Sequence, residues 1–107
     1  MSAGRETTPP AQSPAVPDDE RQAILLHDFR RDLTHWIASD PRLALRIMRL
    51  IEDVLRDPIS GLGKPEPLRH AAHGQWSRRI TDEHRMIYRI RQAGILFMYA
   101  RGHYDRR

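Results

Sequence analysis

Between Pro58 and Trp76 the apolar residues change their period, and this constrains the fold more than any other feature of the chain. Upstream the spacing is helical. Phe29, Leu33, Trp36 and Ile37 fall on one face, with Asp28 available as a cap and Asp40-Pro41 as the break. Pro41 suits the first position of a second helix with Asp40 as its N-cap. Leu43, Ile47, Leu50, Ile51 and Val54 then trace a stripe until Asp57-Pro58 stops it, a helix about 24 Å long. The two form an antiparallel helical hairpin with one shared apolar face. Downstream of SGLGKPEP the period is two: Trp76, Arg78 and Ile80 alternate with Ser77 and Arg79. Ile87 alternates with Met86 and Tyr88, and Ile95, Phe97 and Tyr99 alternate with Leu96, Met98 and Ala100. The polar turns TDEH and RQAG join these three strands as antiparallel neighbours. A short run, Ala23 to Leu26, supplies a strand before the helices. The order β-α-α-β-β-β predicts an α+β fold. Its two-helix hairpin packs on one face of a small, mainly antiparallel four-stranded sheet, and the opposite face is lined with arginine.

A chain of 107 residues accommodates one domain with a modest core. Residues 1–19 hold four of the eight prolines and one sizeable core former, Val16, so they read as a disordered tail ahead of a domain spanning 20–107. Cysteine is absent, which excludes thiol nucleophiles, disulfides and cysteine-based zinc sites. No apolar run approaches the ~20 residues of a membrane span and no signal peptide is evident, so the expectation is a soluble cytoplasmic protein without membrane partners. The net charge of +4 is unevenly spread. Residues 1–63 carry 8 basic and 10 acidic side chains, and residues 64–107 carry 10 basic and 4 acidic. Nine of the latter cations are arginines, suited to bidentate contacts with phosphate. The basic half therefore faces a polyanion, RNA or DNA first and an acidic protein second.

The run GLGKPEPLRHAAHGQWSRRITDEHRMIYRI, followed by ARGHY near the end, resembles the YoeB/Txe toxins of the RelE superfamily over roughly residues 23–104. The resemblance implies a RelE-like toxin domain that acts as a ribosome-dependent mRNA endoribonuclease without cofactor or metal. It also implies a cognate antitoxin of YefM/Axe type, bringing an acidic or amphipathic segment, and frequently a homodimer. Matched motif by motif, the catalytic set falls on Glu66, Arg85, His103 and Tyr104. Lys64, Arg69 and Arg79 are supporting cations, and Arg89 and Arg101 are further RNA contacts from the strands. Gly102 stands where the family pattern suggests a larger residue, which would loosen the last strand just before His103.

These residue types suit metal-free RNA cleavage, which needs a base for the 2′-hydroxyl proton, a cation for the dianionic phosphorane and an acid for the leaving 5′-oxygen. Pro67 biases Glu66 toward an extended backbone, and Pro65 does the same for Lys64. His103 supplies an imidazole acid, with Tyr104 able to share or replace it. Trp36 and Trp76 read as core. His70-x-x-His73 has chelating spacing but no third ligand, and His84 reads as a turn residue. The rival reading from the same composition is a non-catalytic ribosome- or nucleic-acid-binding module that uses the arginine face and makes no use of Glu66.

Overall fold

Proline and a one-residue hinge set the helical half. In the computed structural model, which describes residues 21–69 and 74–102, α1 (His27–Ser39) and α2 (Pro41–Arg56) are separated by Asp40 alone. Pro41 opens α2 as expected, and the Asp40 carbonyl accepts the Leu43 N–H at 2.9 Å. Its side chain makes no cap hydrogen bond. Asp28 does not cap α1 either: the N-cap is Leu26, and Asp28 sits in the first turn, where a negative charge favours the positive end of the helix dipole. The buried stripe of α1 is Phe29, Asp32 and Trp36, whereas Ile37, expected on that face, is 58% exposed. The N-terminal segment expected to be disordered lies outside the described residues.

The sheet has five strands, β1 (Gln22–Leu25), β2 (Glu66–Pro67), β3 (Gln75–Arg79), β4 (Arg85–Ile90) and β5 (Gly94–Tyr99), in the order β1-β5-β4-β3-β2. β1 runs parallel to β5 and the other pairs are antiparallel. The α+β class and the element order agree with the sequence reading, and β2 is an addition within the expected loop. Two prolines hold Glu66 extended, so this piece can pair along an outer edge where their missing N–H groups are harmless. The Leu68 N–H continues the ladder to Gln75 O at 2.9 Å.

One face carries the helices and the core. Phe29, Trp36, Ile47, Leu50, Ile51 and Val54 pack on Met86, Tyr88, Ile95 and Phe97, with Trp76 partly buried against them. Beneath this layer lies a charged hub that joins strand, helix and loop. Arg78, with no solvent exposure, donates to Asp53 Oδ2 (2.5 Å), Leu62 O (3.0 Å), Asp57 O (2.6 Å), Ser60 O (3.0 Å) and Tyr88 Oη (3.2 Å). A guanidinium has five N–H groups, and these bonds occupy them all. Tyr88 donates onward to Pro58 O at 2.5 Å, and Asp53 also accepts the Leu62 N–H at 2.8 Å and Arg56 Nη2 at 2.9 Å. Burial alone would raise the Asp53 carboxyl; the bonds from Leu62, Arg56 and Arg78 outweigh it and hold the group at about 2, below its ordinary 3.8.

Removing Asp53 strands a buried cation, so Asp53→Ala is expected to lower unfolding free energy in urea by about 3–5 kcal/mol. The carboxyl's contribution is complete above its ordinary 3.8 and is lost as pH falls toward about 2. Urea midpoints measured from pH 5 to 2 should therefore fall more steeply for the native chain than for Asp53→Asn.

Candidate functional site

The register of the strands decides which side chains share the face turned away from the helices. Glu66 pairs with Ser77, Ser77 with Ile87, and Ile87 with Tyr99, so these four form one row across β2, β3, β4 and β5. Simple alternation would have put Tyr99 on the core side with Phe97. A register shift between Ile87 and Tyr88 sets Tyr88 opposite Phe97 but Ile87 opposite Tyr99, as a bulge does. Tyr99 thereby joins the open face, and Ala100, with no exposure, enters the core. The next row toward the β3–β4 turn is Arg79 paired with Arg85, and the row on the other side is Gln75, Arg89 and Leu96. With strands about 4.8 Å apart and about 3.4 Å per residue, the Cα atoms of Glu66 and Arg85 lie about 12 Å apart.

The Glu66 strand is placed by its loop. The Arg79 N–H donates to Gly63 O at 2.6 Å, and a Cβ on Gly63 would meet Arg79 O at 2.9 Å, so the loop can lie this close to β3 only with glycine there. Gly63 (φ 78°) is followed by Lys64 at φ 52°. Lys64 is thus left-handed where Pro65 led to the expectation of extended backbone, a conformation costing about 1 kcal/mol that the pinned loop imposes. Glu66 is extended as expected and exposed, and among the described residues no ion pair closes on its carboxylate.

The two central cations are held differently. Arg85 is half-buried and rests one nitrogen, Nη1, on the turn carbonyls of Thr81 (2.9 Å) and Asp82 (3.2 Å), which leaves Nη2 and Nε without a partner among the described residues. Arg79 Nη1 lies 3.7 Å from the exposed Asp82 carboxylate, and its buried Nε has no hydrogen-bond partner among the described residues. Two like charges directly across a strand pair repel each other, so this pair is suited to an anion. Arg89 is half-buried on the same face, and Lys64, Arg69 and Arg101 are exposed. His103, Tyr104 and the His70/His73 pair lie outside the described residues, and among the described residues no cluster of three or more His, Asp or Glu could hold a metal. A concavity of about 380 Å³ lined by Met48, Glu52, Asp53 and Leu62 belongs to α2 and the following loop, away from this row.

Sequence reasoning missed how the end of β5 is fixed. The Ala100 N–H donates to Asp32 Oδ2 (2.9 Å), Trp36 Nε1 donates to Ala100 O (2.7 Å), and Arg85 N donates to Gly102 O (2.9 Å). The Gly102 N–H donates to His84 Nδ1 at 2.8 Å. Gly102 therefore does not loosen the strand end; its φ of 80° is one that glycine adopts freely, and both its polar groups are engaged. The signal in the sequence was Asp32, an acid within the apolar stripe of α1.

Solved structures of other proteins share this fold. A YoeB/ParE toxin from Agrobacterium tumefaciens superposes with a TM-score of 0.72 at 38% identity, over 78% of this chain and 99% of that one. YoeB from Staphylococcus aureus, solved as a dimer and in a YoeB-YefM complex, superposes at 0.73 and 0.70 with 27% and 26% identity, over 78% of this chain and 98% of that one. These define the class: a small toxin of the RelE/YoeB-like α+β fold. A family model for the YoeB-like toxin of bacterial type II toxin-antitoxin systems matches residues 26–104. Toxin YoeB of Mycobacterium bovis is 49% identical over 77 residues, 72% of this chain and 91% of that protein. The chain belongs to the YoeB-like toxins.

Because Gly102 sits at φ 80°, Gly102→Ala is expected to lower stability by about 1–2 kcal/mol, read as a shift in urea midpoint.

Proposed function

We propose that this toxin is a ribosome-dependent endoribonuclease that cleaves translated mRNA by general acid–base catalysis. The observation that carries the reading is the shared open face: Glu66 stands one row from the paired Arg79 and Arg85, close enough for a sugar–phosphate unit to lie between them. Glu66 takes the proton from a 2′-hydroxyl, whose oxygen attacks the adjacent phosphorus. Arg85, whose Nη2 and Nε have no partner among the described residues, and Arg79 balance the charge that builds on the phosphorane. His103, aided or replaced by Tyr104, gives a proton to the departing 5′-oxygen as the P–O5′ bond breaks. The products are a 2′,3′-cyclic phosphate and a 5′-hydroxyl. Attack by a 2′-hydroxyl leaves DNA uncut.

Arg89 on this face and the exposed Lys64, Arg69 and Arg101 hold the flanking backbone by charge. Glu66 is exposed and Arg85 half-buried, and orientation supplies much of any rate enhancement. A ribosome that presents the message in a fixed conformation supplies that orientation, so free RNA is a poor substrate.

The partners follow the same face. The S. aureus relative was solved with YefM and as a dimer. By that likeness this toxin pairs with an antitoxin whose acidic or amphipathic segment covers the arginines, and it self-associates as a homodimer. No helix among the described residues is long and apolar enough to cross a membrane, and a ribosomal substrate places the toxin in the cytoplasm. Residues 20–107 form the toxin domain, with 1–19 as a tail outside the catalytic fold.

Primer extension on message bound to translating ribosomes tests the reading. New 5′ ends are expected with the native toxin, and Glu66→Gln is expected to reduce them by about 10²-fold or more. Arg85→Ala should cost a similar factor. Translation arrest by Glu66→Gln equal to that of the native chain, without new 5′ ends, would establish the non-catalytic binder instead.

A further inference from the structure

β5 ends at Tyr99, yet the backbone polar groups of Ala100 and Gly102 still need partners. Side chains and one backbone N–H supply them. Asp32 and Trp36 of α1 hold both polar groups of Ala100, and His84 and the Arg85 N–H hold both of Gly102. His103 is the next residue. The last fixed points before the proposed acid are therefore a ring nitrogen in the β3–β4 turn, on the Gly102 N–H, and the Arg85 backbone N–H, on the Gly102 carbonyl.

We propose that His84 is a positioning residue for RNA cleavage: its Nδ1, by accepting the Gly102 N–H, sets the direction in which the chain leaves the sheet toward His103 and Tyr104. The inference rests on the acid–base reading above. Three observations carry it. His84 is adjacent in sequence to Arg85, whose backbone N–H holds the Gly102 carbonyl while its side chain reaches the open face, so one dipeptide ties the phosphate-binding cation to the exit of the acid-bearing segment. The His84 ring is itself fixed, edge-on to Trp36 with centroids 4.7 Å apart. Trp36 in turn holds Ala100 O, so ring and segment share one support.

An Nδ1 that accepts must be unprotonated, which places the proton of the neutral ring on Nε2. Burial lowers the His84 pKa, and Arg101 and His35 act in the same direction against Glu83 and Asp32. An imidazolium would set an N–H against the Gly102 N–H. The clamp is thus complete above the ordinary histidine value of 6.5 and opens as pH falls below it.

Three substitutions separate positioning from simple turn stability. His84→Phe keeps a ring against Trp36 and removes the acceptor. His84→Asn places an amide oxygen one bond from Cγ, where Nδ1 stood, and His84→Gln places it one bond too far. With full-length toxin on translating ribosomes, His84→Phe and His84→Gln are expected to lower kcat by about 10²-fold, the scale of a misplaced reacting group, at unchanged KM. His84→Asn should recover to within about threefold. In the free toxin, hydrogen exchange at the Gly102 amide should speed up roughly tenfold in His84→Phe and stay slow in His84→Asn. Native-like cleavage by a folded His84→Phe, or unchanged Gly102 exchange in it, overturns the proposal. So does failure of His84→Asn to recover the rate, even if His84→Phe proves unstable. Absence of cleavage by the native toxin removes the acid–base reading and this role with it, whereas cleavage by the native toxin and His84→Phe alike removes the positioning role alone.

Discussion

A guanidinium without access to water is tolerable only when every N–H finds an acceptor and the charge finds a counterion, and Arg78 meets both conditions. Its acceptors come from α2, from the loop after it and from β4. Three of them are loop carbonyls between Asp57 and Leu62, a stretch with no regular structure to organise it. By consuming those carbonyls, Arg78 fixes the path of the loop. Gly63 then lies against β3, and Glu66 pairs with Ser77. The acid at the open face is therefore positioned from the opposite face, through a strand whose residues alternate between the hub (Arg78) and the site (Ser77 and Arg79).

The site is held from three directions by different means. Glu66 depends on the hub and on two prolines, and Arg85 depends on a turn whose carbonyls take up one of its nitrogens and leave its other edge open. The exit of the segment carrying His103 depends on Asp32, Trp36 and His84. The last two supports meet at the β3–β4 turn, where His84 and the Arg85 N–H both hold Gly102, and all act on one small sheet. A toxin built this way keeps a fixed frame beneath a cationic sheet face, an arrangement suited both to a nucleic-acid substrate and to neutralisation by an acidic partner laid on that face.

Much of the fold was legible in the sequence because its strongest signals are local. The helical stripe of α2, the Asp-Pro boundaries and the period-two runs of β3 to β5 each rest on neighbours a few residues apart. What escaped is long-range. The parity change at Tyr99 depends on a bulge between paired strands, and the pairing of Glu66 with Ser77 needs an edge that only the folded sheet offers. Arg78 was placed on the core face of its strand, but nothing nearby in sequence announces that Asp53, 25 residues away, will meet it. The residues of the candidate site were legible mainly through resemblance. A lone Glu between prolines and one arginine among many acquire meaning only when the register sets them on one face.

The central claim is that a base, a cation and a proton donor act on one sugar–phosphate junction through the 2′-oxygen. The chemistry of the cut ends tests it most directly. Mass spectrometry of message cleaved on the ribosome is predicted to show 2′,3′-cyclic phosphate, or the 3′-phosphate it hydrolyses to, opposite a 5′-hydroxyl. A 3′-hydroxyl opposite a 5′-phosphate would mean that water, not the 2′-oxygen, is the nucleophile, and would contradict the account.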